Sequence, residues 1–303
     1  MFKVKTARAL LDLGRVSNLP TVWSNCMAGW LLGMGDIRMD DIDTAALGLL
    51  LVGATLIYLG GMFLNDACDA AWDRRHRPER PIPSGAIAER TVWRAAIGLL
   101  AAGLFGLALP GGTSAVLALL LFNCIFLYDL AHKHLAWSWV LMAACRFFLL
   151  LLAASHAHAC ADDPTPFFQS PVAGLAVWSA LVLALYVGGL SCIAKGESVE
   201  GVSPRWPCLM LISPVAVTLL HNGGVHRESG VVASAILALW ILRSIRSTYW
   251  QSPPQPGRTV GALLAGMVLV NMVSLVHAPR EAALTFLALF LAALAAQRWV
   301  KAT

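Results

Sequence analysis

The chain has 303 residues, 58% of them hydrophobic and only 13% charged, with a formal net charge of +5 and a mean hydropathy of +0.70. That composition excludes a soluble domain with an ordinary core. It gives no reason to expect a nucleic-acid partner, because the basic residues follow a membrane-topology pattern rather than forming a patch.

The first fifteen residues mix polar and apolar side chains and lack a cleavage-site pattern, so no removable signal peptide is expected. Apolar runs of membrane-helix length follow at 16–34, 45–66, 91–109, 113–130, 137–154, 171–192, 206–221, 230–247, 259–277 and 281–298. Pro279 separates the last two, which are short, so the count is nine or ten. A backbone in lipid must satisfy its own hydrogen bonds, so the expected fold class is all-α: a polytopic membrane helix bundle forming one domain over 1–303. The loops near 74–90, 155–170 and 248–258 are too short to hold another domain.

With the N-terminus inside, 18 of the 22 lysines and arginines lie on inside segments, three lie outside, and Arg146 lies in mid-membrane. That asymmetry predicts a cytoplasmic N-terminus and favours ten spans. The seven cysteines are scattered singly, with no paired spacing for a metal or redox site, and read as small buried hydrophobes. The eight histidines form no ligand set, and no nucleotide-binding or hydrolase motif is present.

Where the second apolar run ends, the chain reads Asn65-Asp66-Ala67-Cys68-Asp69-Ala70-Ala71-Trp72-Asp73. Asn65, Asp69 and Asp73 are spaced i, i+4, i+8, and Asp66 precedes Asp69 by three, so one helix face carries all four. Clustered carboxylates repel unless a cation neutralises them, and hard oxygen ligands suit Mg²⁺ shared with a substrate phosphate. The basic run Arg74-Arg75-His76-Arg77-Pro78-Glu79-Arg80 follows directly. Acids that hold a cation beside arginines that take phosphate oxygens form a metal–phosphate clamp, with Arg74 and Arg80 as its basic half.

Asn65-Asp66-x-x-Asp69-x-x-x-Asp73 followed by Arg80-Pro81-Ile82-Pro83-Ser84-Gly85 resembles the first signature of the UbiA superfamily of intramembrane prenyltransferases. The stretch Arg77-Pro78-Glu79-Arg80, with Tyr128-Asp129…His132-Lys133, is similar to the branch found in ebo gene clusters. The resemblance implies a bundle around a central lipid-accessible cavity in a plasma (bacterial inner) membrane. It also implies Mg²⁺, an isoprenyl diphosphate donor, and transfer of the isoprenyl group to an aromatic or other small acceptor of unknown identity. Asn65, Asp66, Asp69 and Asp73 would carry the first metal–diphosphate site, with Asp66, Asp69 and Asp73 as catalytic acids. The family's second aspartate motif, after span six, has no Asp-x-x-x-Asp here. In its place stand Lys195, Glu197 and Glu200. Glu197 and Glu200 could meet a second Mg²⁺, and Lys195 could serve diphosphate as a point charge. The missing motif also motivates an alternative: a protein that binds or carries a lipid diphosphate without full catalysis. The Asp-Gly pattern of CDP-alcohol phosphotransferases is absent, because Asp69 precedes Ala70-Ala71-Trp72.

Three further residues are candidate substrate ligands. Lys133, after span four, is either a diphosphate contact or an interfacial anchor. Arg15, before span one, lies either near an acceptor pocket or on a positive-inside flank. Arg146 is costly at mid-bilayer and must face the bundle interior, either as a structural ion pair or as a ligand for an anionic acceptor. Asn18, Asn25, Asn123 and Asn271 read as interhelical hydrogen-bonding amides. Trp72, inside the acid stretch, either walls a cavity or packs at the interface.

Overall fold

The computed structural model describes residues 2–35, 37–133, 135–161, 165–196, 205–221 and 227–300. Glu197 and Glu200 lie outside them. Helices occupy all ten apolar stretches: α2 (Leu19–Met34), α3 (Thr44–His76), α4 (Glu89–Ala108), α5 (Gly112–Ala131), α6 (Ser138–Cys160), α7 (Pro171–Gly196), α8 (Pro207–His221), α9 (Arg227–Tyr249), α10 (Pro256–Val273) and α11 (Arg280–Ala296). Seven of them, α3 to α7 with α9 and α10, are long and apolar enough to cross a membrane. With 16, 15 and 17 residues, α2, α8 and α11 are shorter. The protein is an all-α, integral membrane bundle.

One helix has no counterpart among the expected spans: α1 (Phe2–Leu13). It buries Ala9 and Leu13, four residues apart, while Leu10 and Leu11 stay exposed. Its charged residues lower the hydropathy of the segment, so only a one-sided apolar stripe marks it.

Lipid tails give helices no hydrophobic reason to associate, so close backbone approach at small residues does the work. On α2, Gly29 and Gly33 are four apart and face Leu150, Ala153 and Ala154 of α6. A Cβ on Gly33 would collide with the Ala154 backbone. We expect Gly33→Val to lower the thermal midpoint in detergent, at a cost of roughly 1–3 kcal/mol from overpacking. On α3, Gly53 and Gly60 meet Leu107 and Leu100 of α4 in the same way.

Polar side chains pin the inner helices. Asn271 of α10 donates to Ser24 Oγ (3.0 Å) and Asn25 Oδ1 (3.5 Å) of α2, and Asn25 donates to the Arg146 carbonyl of α6 (3.1 Å). Asn123 departs from the interhelical expectation: it is exposed and bonds back to Leu119 of its own helix at 2.8 Å. Apolar side chains that stay exposed, such as Ile97, Phe105, Val116, Leu239 and Leu284, lie on α4, α5, α9 and α11 and form the lipid-facing surface.

The 33 residues of α3 span about 50 Å, against a hydrocarbon core of about 30 Å. Asp43 caps the start of α3, accepting from Ala45 and Ala46 N–H at 3.0 Å each. The helix is thus longer than one crossing requires, and its last turns carry the acid stretch.

Candidate active site

The last turns of α3 form one wall of a cavity of about 680 Å³. Asp69, Trp72 and Asp73 line it from α3, Arg77 and Arg80 from the following loop, and Tyr128, His132 and Lys133 from the end of α5. Arg15 and Arg146 also line it, and apolar side chains from α3, α6, α7 and α10, among them Met62, Met142, Leu190 and Met267, form the rest of its wall.

Each carboxylate of α3 is matched by a cation. Asp66 Oδ1 accepts from Arg15 and Arg80, both at 3.4 Å. Arg80 also donates to Asp73 Oδ2 at 2.9 Å, bridging two acids. Lys133 Nζ lies 2.6 Å from Asp69 Oδ1, and His132 Nε2 lies 3.7 Å from Asp69 Oδ2. Asn65 faces away from the cavity and donates to Asp129 Oδ1 of α5 at 3.1 Å.

Local chain geometry sets these partners. Arg15 has a left-handed backbone (φ 40°), a conformation that costs a non-glycine residue roughly 1–3 kcal/mol. Its carbonyl accepts from Tyr58 Oη at 3.2 Å, which holds the turn that aims the guanidinium at Asp66. The loop after α3 is a run of tight turns: Ser84 N–H donates to the Arg80 carbonyl at 2.9 Å and Gly85 N–H to the Ile82 carbonyl at 3.1 Å. Gly85 supplies the positive φ of 73° that this run requires, and the buried Ile82 and Ile87 anchor it. The loop folds back and returns Arg80 to the acids.

Trp72 lines the cavity as a platform. The Lys133 ammonium sits 5.2 Å from its ring centroid and the Arg77 guanidinium 5.7 Å, and His76 stacks on it at 4.1 Å. Two cations are thereby held at the rim without a carboxylate consuming all their hydrogen bonds.

Two basic residues of the expected clamp are placed otherwise. Arg74 pairs with Glu89 on an exposed surface and does not line the cavity. At 100° per residue, it points away from the face shared by Asp69 and Asp73. Lys195 does line the cavity, but its ammonium donates to the carbonyls of Leu135 (2.8 Å) and Ala136 (3.2 Å) and to Ser138 Oγ (3.2 Å). Its three hydrogen-bond donors are thus committed to the α5–α6 connection. We expect Lys195→Met to loosen that connection, seen as faster amide exchange in 135–138.

A divalent cation suits the donor chemistry of this wall. The donors on this face are oxygens, Asp69 faces the cavity, and Asp73 Oδ1 is buried without a partner. Among the described residues no three Asp, Glu, His or Cys side chains converge as a metal-ligand group; Arg80 bridges Asp66 and Asp73, and Lys133 pairs with Asp69.

Sequence reasoning did not assign Tyr58, Arg77, His132 or Asp129 to the site. His132 and Asp129 flank Lys133 in sequence, and Arg77 belongs to the basic run. Tyr58 carries no local signal, since a lone tyrosine in an apolar helix reads as core.

The chain is 32% identical over 118 residues to digeranylgeranylglyceryl phosphate synthase from Metallosphaera sedula, a match that covers 39% of this chain and 40% of the relative. It is 35% identical over 124 residues to the synthase of the same name from Ignicoccus hospitalis, covering 40% of this chain and 37% of the relative. The matched stretch thus spans well under half of these relatives' length. The fold superposes on a UbiA homolog from Aeropyrum pernix with a TM-score of 0.64 and 16% identity, over 87% of this chain and 97% of the other. The model of the UbiA prenyltransferase family matches residues 19–266, which include the whole acid stretch and its basic loop, and the chain belongs to that family.

Proposed function

We propose that the protein is an intramembrane prenyltransferase that moves an isoprenyl group from an isoprenyl diphosphate to a small acceptor, with its site on the cytoplasmic face. The observation that carries this reading is the rim of the cavity, where acids and cations alternate above apolar walls. A lipid diphosphate needs both environments, one for the phosphates and one for the tail.

Asp69 and Asp73, with Asp66 behind them, are the residues that would hold Mg²⁺, while Asn65 is turned to Asp129. When bound, the ion would neutralise charge that develops on the leaving diphosphate. Arg80, Arg15, Lys133 and Arg77 would take phosphate oxygens, Arg80 and Lys133 by moving off the carboxylates they now neutralise. Met62, Met142, Leu190 and Met267 would hold the tail and keep water from the allylic cation. The relatives' name, digeranylgeranylglyceryl phosphate synthase, favours a geranylgeranyl-sized donor.

The test is transfer itself. Membranes containing the wild-type chain, supplied with labelled geranylgeranyl diphosphate and a lipid extract, should yield a labelled product heavier than the acceptor by one isoprenyl group. Saturable binding of the donor with no such product would favour the carrier reading.

A further inference from the structure

A groove of about 640 Å³ lies between α9, α10 and α11, and it shares no lining residue with the cavity of the candidate site. The family match ends at residue 266, so α11 lies wholly beyond it. Ile236 and Leu239 of α9 and Leu284 and Leu287 of α11 line the groove and are all exposed, while Leu269 of α10 is buried beneath them. At one end the Trp240 and Phe290 rings meet edge-on, 4.9 Å between centroids, and Trp240 Nε1 donates to the Ala262 carbonyl at 2.9 Å. At the other end stands Arg280, the first residue of α11. From Arg280 to Phe290 the helix rises about 15 Å, half of a hydrocarbon core of about 30 Å. Arg243, three residues beyond Trp240, lines the groove at the aromatic end. Between Glu228 and Glu281 the sequence has no acidic residue but four arginines: Arg243, Arg246, Arg258 and Arg280. Arg243 and Arg280 are exposed, and among the described residues neither guanidinium has a hydrogen-bond or ion-pair partner.

Any lipid tail can cover apolar walls, but an arginine set among them calls for an anion. Basic pockets between membrane helices are met by anionic lipid headgroups. We propose that this groove is a binding site for one anionic phospholipid of the surrounding bilayer. Its phosphate sits on Arg243, and its acyl chains run along Leu239, Leu287 and Leu284 toward Arg280. The length of the groove matches chains that occupy one leaflet. A zwitterionic headgroup would bring its own cation toward Arg243 and Arg246, so a net negative lipid is selected. The bound lipid fills the space that α11 leaves beside α9, and so braces the helix that the family match does not reach. At the same end Gln297 Nε2 of α11 donates to the Gly261 carbonyl of α10 at 3.0 Å. The site stands apart from the prenyltransferase reading and does not depend on it.

The test is native mass spectrometry of the purified full chain, released from detergent micelles that contain phosphatidylglycerol or phosphatidylcholine with identical acyl chains. The wild type should retain one phosphatidylglycerol per chain, at least fivefold more often than phosphatidylcholine. Arg243→Gln should bring that ratio close to one. Leu284→Trp fills the groove from an exposed position without changing charge, and it should lower phosphatidylglycerol retention at least threefold. Arg94→Gln removes an exposed arginine of α4, far from the groove in sequence and not among its lining residues, and it should keep the wild-type ratio. Equal retention of the two lipids by the wild type would overturn the proposal, as would an unchanged ratio in Arg243→Gln or unchanged retention in Leu284→Trp. A loss shared by Arg94→Gln would trace the preference to net charge and overturn it too. A dimer mass that Leu284→Trp abolishes, with no lipid retained, would assign the groove to a second copy of the chain instead.

Discussion

Replacing Arg80 with alanine is expected to reduce diphosphate release by roughly 10²–10³-fold, and to lower the thermal midpoint as well. Both effects come from one position. Arg80 bridges Asp66 and Asp73, and the Asp73 side chain is only 2% exposed. Removing one partner of a buried pair leaves an uncompensated charge, at a cost of roughly 3–5 kcal/mol. Arg80→Lys separates the two effects. It keeps a charge near Asp73, so most of the stability should return. It loses the planar fork that serves two acids, or two phosphate oxygens, at once, so most of the activity should not. Melting curves and a diphosphate-release assay on the three proteins check this directly.

Asp69→Ala is expected to behave differently: activity falls by roughly 10²–10³-fold or more, with little change in melting. Asp69 lines the cavity, and its partners Lys133 and His132 are partly exposed, so no group is stranded in a dry core when the carboxylate goes. Lys133 keeps its place over Trp72. An Asp69→Ala protein that melts like the wild type and still releases diphosphate at the wild-type rate would remove Asp69 from the chemistry.

The contrast between these acids also shows what a sequence can express. The i, i+4, i+8 spacing and the basic run are local patterns, so the acid face, Arg80 and Lys133 were legible in it. The long apolar runs were legible for the same reason, because a membrane demands them one segment at a time. Adjacency in sequence says nothing about direction: one residue of helix turns Arg74 from the face of Asp73 toward Glu89. Lys195 reads as a free charge in the sequence, but the fold commits it to the carbonyls of Leu135 and Ala136, some sixty positions away. The pairing of Asn65 with Asp129 spans 64 positions and needs α3 and α5 already packed. The cavity itself is in the same class, since its walls come from several helices far apart in the chain. Short α1 went unseen because hydropathy averages away a one-sided stripe among charges.

The most direct measurement is release of inorganic diphosphate from geranylgeranyl diphosphate by the purified wild-type chain, as a function of Mg²⁺ concentration and with Asp69→Ala in parallel. Release by the wild type should rise to saturation with Mg²⁺, stop on chelation and be lost in the variant. Mg²⁺-dependent binding of the donor with no release, at any donor length and with any acceptor extract, would contradict the prenyltransferase reading.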